Sequence, residues 1–263
     1  VIGWRDFVNN RTSPYDDQGH GTHVAGIAAG SGAGNAAYKG VAPGAALVGI
    51  KVLDRNGSGT MSNVIAGIDW AISNKDTYGI DIINMSLGTT GSSDGRDATS
   101  QAANRAADAG IVVAVAAGNS GPAKQTIGSP GAAEKALTVG AMADPGKGGF
   151  NLANFSSRGP TADGRNKPDI AAPGYQINAA RANSGNGYVA YSGTSMATPF
   201  AAGIVALMLA ANPSLSPNQV KSMLASTSQD WGPAGNDVDY GAGKLDGYEA
   251  VKAAGGFSGT GPS

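Results

Sequence analysis

Four short apolar runs, at residues 46–53, 80–87, 111–117 and 136–142, are rich in β-branched residues and hardly alternate with polar ones. A strand with one wet face alternates, whereas a strand covered on both faces does not, so these runs read as strands buried on both sides. Helical patterns lie between them. Residues 61–74 place Val64, Ile65, Ile68 and Ile72 near helical spacing, and the alanine-rich run 98–109 stops at Gly110, a helix-ending residue. Strand and helix in alternation predict an α/β fold in three layers, a mostly parallel central sheet with right-handed crossovers and helices on both faces. Such sheets place binding sites at the carboxyl ends of their strands.

The second half is less regular. Residues 150–187 are dense in Gly, Pro, Ser and Asn, with short strands expected at 176–179 and 187–191, and loops this long usually carry function. The longest helical pattern follows at 194–211, then one at 216–228, where Pro217 takes the first helical position after Ser216. A last helix is expected at 245–254, and the small-residue tail 255–263 is expected to fray. No repeat or composition shift divides the chain, so residues 1–254 read as one domain.

Composition narrows the function. The 41% hydrophobic content suffices for a core, and 18 Lys and Arg against 19 Asp and Glu leave no basic block to follow a phosphate backbone, which excludes nucleic acid as a partner. The longest apolar stretch, 201–211, is shorter than the roughly 18–20 residues a bilayer span needs, so no membrane role is expected. The absence of cysteine excludes a disulfide framework, a zinc-thiolate site and a cysteine nucleophile. Val1 in place of Met reads as a processed start.

Both histidines lie in the stretch Gly19-His20-Gly21-Thr22-His23-Val24-Ala25-Gly26. Two His three apart can ligate a metal, but no Glu stands at metalloprotease spacing. His20, between two glycines ahead of a small-residue helix, is approachable and is the one good general-base candidate; His23 reads as structural. Ser195 lies in Ser192-Gly193-Thr194-Ser195-Met196-Ala197-Thr198-Pro199, where a turn opens into the long helix. A serine there is either a helix cap or a nucleophile whose oxyanion the free N–H groups and the positive helix end stabilise. Asn119, in Ala116-Ala117-Gly118-Asn119-Ser120-Gly121, is either a turn residue at a strand end or an oxyanion donor.

Together these segments, with Asn84-Met85-Ser86-Leu87-Gly88 and residues 167–174, resemble the subtilisin-like serine protease family, in the family's order and over roughly residues 17–254. The nucleophile elbow of α/β-hydrolases fits worse, since Ala197 stands where its Gly belongs and its histidine comes last. The resemblance implies a secreted, autoprocessed serine endopeptidase acting on polypeptides. Ser195 would attack the scissile carbonyl, His20 would take its proton, and Asn119 with the Ser195 amide would form the oxyanion hole. Ser86, Leu87 and Gly88 on one side and Gly57, Ser58 and Gly59 on the other would edge an extended peptide. Ala116, Ala117 and Gly118 would line the first specificity pocket, and Met61 is either the floor of a second pocket or a core residue.

The family's Asp, on a strand well upstream of the histidine and followed by Ser or Thr and Gly, has no counterpart here. Asp6, Asp16 and Asp17 precede His20, and none is nominated. The resemblance therefore implies a partner, an N-terminal fragment or pro-segment that supplies the Asp strand; without it the chain is an inactive peptide-binding relative or a fragment. An esterase or amidase using the same residues is a further alternative. No cofactor is expected for the chemistry. Structural calcium is implied with no site assigned: the loop 30–40 lacks carboxylates, and Asp237, Asp239 and Asp246 read as surface residues before they read as ligands.

Overall fold

The computed structural model describes residues 1–143 and 151–256. Its strands are β1 (Gly3–Asp6), β2 (Val48–Lys51), β3 (Ile82–Met85), β4 (Val112–Ala116), β5 (Leu137–Ala143), β6 (Asn151–Leu152), β7 (Ile170–Pro173), β8 (Ile177–Ala180) and β9 (Tyr188–Tyr191). Its α-helices are α1 (His20–Ala29), α2 (Met61–Ser73), α3 (Lys75–Tyr78), α4 (Ala98–Asp108), α5 (Thr194–Ala211), α6 (Pro217–Thr227) and α7 (Gly247–Ala253). Strands β3, β4, β5 and β7 pair in parallel, and β6 joins β5 antiparallel.

Successive side chains of β4 go to opposite faces, and each face finds its own core. Val113 and Val115 meet Val64 and Ile68 of α2 and Ala102, Ala103 and Ala106 of α4. On the other face Val112, Val139 and Ile170 meet Ala197, Ala201, Val205 and Met208 of α5, with Val220 and Leu224 of α6. Each buried Val or Ile contributes about 1.5–3 kcal/mol, and the alanines let the helices come close. The result is the expected three-layer α/β fold. Helix α5 is apolar all round and passes the length and composition test for a membrane span, which the stretch 201–211 alone does not; 61% of it is buried inside the protein, where it covers the sheet.

The sheet is broken where the sequence predicts continuity. Strands β1 and β2 form a separate parallel pair, from Gly3 opposite Val48 to Asp6 opposite Lys51. Among the described residues β2 pairs with β1 alone and β3 with β4 alone. A cavity of ≈ 1870 Å³ is lined by both strands. The run 46–53, expected to be covered on both faces, is therefore only half-buried at Val48, Gly49, Ile50 and Lys51, as are Ile82, Ile83 and Asn84 of β3. The tail 255–263 lies, from residue 257 onward, outside the described residues.

Helix α1 is anchored by His23. Its ring is fully buried and donates from Nε2 to the carbonyls of Ile177 (3.1 Å) and Val189 (2.9 Å) on the β8–β9 hairpin. It also stacks on Tyr191 with ring centroids 4.4 Å apart. Carbonyls only accept, so the neutral ring carries its proton on Nε2.

Candidate active site

His20 is the first residue of α1 because Gly19, at φ 105°, turns the chain into the helix through the left-handed region. The Asp16 carboxylate fills the helix start, accepting from the amides of Gln18 (3.0 Å), Gly19 (2.7 Å) and Thr22 (2.9 Å) and from the Thr22 hydroxyl (2.6 Å). Burial pushes the Asp16 carboxyl up, and these bonds outweigh it and hold the group below the usual carboxylate range. The His20 ring is half-buried and has no hydrogen-bond partner among the described residues. Burial and then the proximity of His23 push its pKa below the ordinary value, with Asp16 opposing, so the imidazole stays free to accept a proton at neutral pH.

Ser195 is the second residue of α5, where the helix leaves its first amides without internal acceptors. Its Oγ donates to the Ser86 carbonyl at 3.3 Å. Asn119 follows the end of β4 across Gly118, whose φ of 106° aims the asparagine at α5. The Asn119 Oδ1 accepts from the Thr194 amide (2.9 Å) and the Thr194 hydroxyl (3.0 Å), which leaves Nδ2 to donate elsewhere. A Cβ on Gly193 would lie 3.5 Å from Asn119 Nδ2 and 3.6 Å from the Ser195 amide nitrogen, so the two nitrogens flank Gly193 side by side. The role of Thr194 escapes the sequence reading; its signal is a Thr beside the candidate serine at a helix start.

His20, Asn119 and Ser195 line the same cavity, with Gly57, Ser58, Gly59, Ser86, Leu87, Gly88, Ala116 and Gly118. Met61 lines it as well and is 60% exposed, which removes its reading as a core residue. Ala117 does not line it: at 1% exposure it packs against Ile127 and Ala132, because the strand's alternation turns it away from Ala116.

The three upstream aspartates are engaged elsewhere. Asp16 caps α1, Asp17 pairs with Lys51 at 2.6 Å, and Asp6, 1% exposed, accepts from the amides of Val8, Asn9 and Arg11 and from the Tyr15 hydroxyl. Nor do the candidate calcium ligands converge. Asp237 Oδ1 takes the amides of Asp239 and Tyr240, Asp246 caps α7 and accepts from Gln229, and among the described residues no three acidic or His side chains cluster as a cage.

The profile of the Subtilase family matches residues 2–243. Serine protease AprX of Bacillus subtilis (strain 168) is 46% identical over 95% of this chain and 62% of its own length, and Subtilisin E of the same organism 41% identical over 93% and 59%. The chain thus spans about three fifths of these relatives. Among solved structures, Sphericase matches with TM-score 0.80 at 36% identity, over 92% of this chain and 84% of its own. A cold adapted subtilisin-like serine proteinase matches with TM-score 0.70 at 34% identity, over 92% and 79%.

Proposed function

Because this chain belongs to the subtilase family, we propose that it is the larger part of a serine endopeptidase that cuts polypeptides through Ser195, His20 and Asn119. The observation that carries this reading is the nearness of Asn119 Nδ2 and the Ser195 amide nitrogen, on either side of Gly193 at the positive end of an 18-residue helix. In the reaction Ser195 Oγ bonds to the scissile carbonyl carbon as His20 takes its proton. The carbonyl oxygen gains charge between the two donors, and His20 then returns the proton to the leaving amine as the C–N bond breaks. Water repeats the sequence to free Ser195. The substrate lies extended between Ser86-Leu87-Gly88 and Gly57-Ser58-Gly59, paired through its main chain. Nucleophile, base and oxyanion donors are all protein groups in this reading, so the chemistry asks for no cofactor.

The triad's Asp, in this reading, stands on a further strand seated between β2 and β3. Two strands lining a common cavity from separate sheets support it, as do the half-exposed apolar residues Val48, Ile50, Ile82 and Ile83. In a subtilisin, loss of that Asp alone costs turnover about 3 × 10⁴-fold. The second reading, a peptide-binding relative that does not cut, is favoured by the His20 ring having no carboxylate partner among the described residues. The expected location is extracellular, by resemblance to secreted subtilisins.

Fluorophosphonate labelling of the native protein, followed by denaturation and intact mass measurement, tests this. A single label on Ser195, with an Asp-bearing strand upstream in the same polypeptide or on a second one, is expected. An unlabelled protein would leave the binding relative.

A further inference from the structure

The long helix that begins at the candidate nucleophile contains Pro199. An α-helix pairs each carbonyl with the amide four residues on, and the residue four beyond Ser195 is Pro199, which has no N–H. The carbonyl of Ser195 is therefore left without its helical donor. The Ser86 hydroxyl supplies one, donating to that carbonyl at 2.8 Å. Behind it, Asn84 Nδ2 donates to Ser86 Oγ at 3.0 Å, which commits the Ser86 hydrogen to Ser195. The Asn84 amide keeps this orientation although its Oδ1 is buried without a partner. The main chain of Ser86 closes the clasp by accepting from Ser195 Oγ.

We infer that the side chains of Ser86 and Asn84 are positioning residues for Ser195, holding its peptide unit through the carbonyl that Pro199 leaves open. The clasp ties the end of β3, and with it one edge of the proposed peptide groove, to the helix start that presents both Oγ and the oxyanion amide. Ser86 thus has a side-chain role beyond the main-chain substrate contact proposed for it. This inference rests on the reading of Ser195 as nucleophile.

The test is a double-mutant cycle in the full-length protein. Ser86→Ala removes the donor, and Pro199→Ala restores a backbone N–H to the same carbonyl. Read by fluorophosphonate labelling rate and by kcat on a peptide substrate, S86A is expected to lose about ten- to a hundredfold in both, with KM within about twofold. In the P199A background the same change is expected to lose less than about threefold, because the helix now satisfies the carbonyl. Ser86→Thr, which keeps the hydroxyl, is expected to recover most of the loss and gives a second test should P199A melt early. An undiminished rate in S86A, an equal loss in the P199A background, or a threonine variant no better than alanine would overturn the clasp. Absence of labelling in the unmutated protein would overturn the nucleophile reading and the clasp with it.

Discussion

Thr194 holds Asn119 by two bonds to one atom: its amide and its hydroxyl both donate to Oδ1, at 2.9 and 3.0 Å, so the asparagine cannot turn its amide over without losing both. The helix that carries the candidate nucleophile thereby also aims the side-chain donor beside it.

Asn119→Asp keeps the acceptor that Thr194 holds and replaces the donor with a charge. Loss of the equivalent donor in a subtilisin sets the scale, and peptide turnover is expected to fall by at least about 10²–10³-fold with little change in KM or thermal midpoint. Steady-state kinetics and a melting curve check it; a fall confined to KM would remove Asn119 from the oxyanion site.

The pH dependence of Ser195 labelling reports His20. Its pKa is lowered by burial and by His23, so in the 263-residue chain the labelling rate should rise with a midpoint below pH 6.5. Asp16→Asn removes the carboxylate that favours the imidazolium and should move that midpoint further down. A midpoint above 6.5, or an upward move in the variant, would contradict this electrostatic account. His23 is lowered too, so the unfolded chain binds more protons than the native one and stability should fall as pH drops below 6.5.

Asp169 joins two lysines in the interior, Lys167 at 2.6 Å and Lys221 at 3.1 Å, and Lys167 is only 3% exposed. Burial pushes the Asp169 carboxyl up and the two ammonium groups outweigh it, so its folded pKa lies below 3.8. The native state then binds fewer protons than the unfolded one, and the contribution is full above pH 3.8 and lost as pH falls through the folded value. Asp169→Asn is expected to cost about 3–5 kcal/mol at neutral pH, and denaturant titrations should show the gap from wild type closing in acid.

Gly118→Ala combines a left-handed φ of 106° with a Cβ that would lie 2.8 Å from Ser157 Oγ. The conformation alone costs about 1–2 kcal/mol, and relief of the contact turns Asn119 away from α5. Peptide turnover is expected to drop at least about tenfold in a protein that still folds, as circular dichroism would show.

Much of the fold and the site is legible in the sequence because local rules and tertiary needs agree. The helix expected from Thr194 to about Ala211 is α5, and the expected start at Ser216 is a capping box with Gln219. His20, Ser195 and Asn119, far apart in sequence, line one cavity. What escapes reading lacks an apolar signal of its own. The strand β1, Gly3-Trp4-Arg5-Asp6, pairs through its backbone and shows no run, and Ala117 follows a pleat that composition cannot phase. The break between β2 and β3 is hidden because half-buried and fully buried strands use the same residues.

That break has a consequence for selectivity. Gly57-Ser58-Gly59 follows β2 and Ser86-Leu87-Gly88 follows β3, so the two banks of the proposed peptide groove hang from strands on opposite sides of the gap. On the proposed reading, a strand seated between β2 and β3 would act as a spacer that sets the gauge between those banks. Altering the thickness or register of that spacer would retune which peptides fit, from the interior and without changing any residue that meets the substrate.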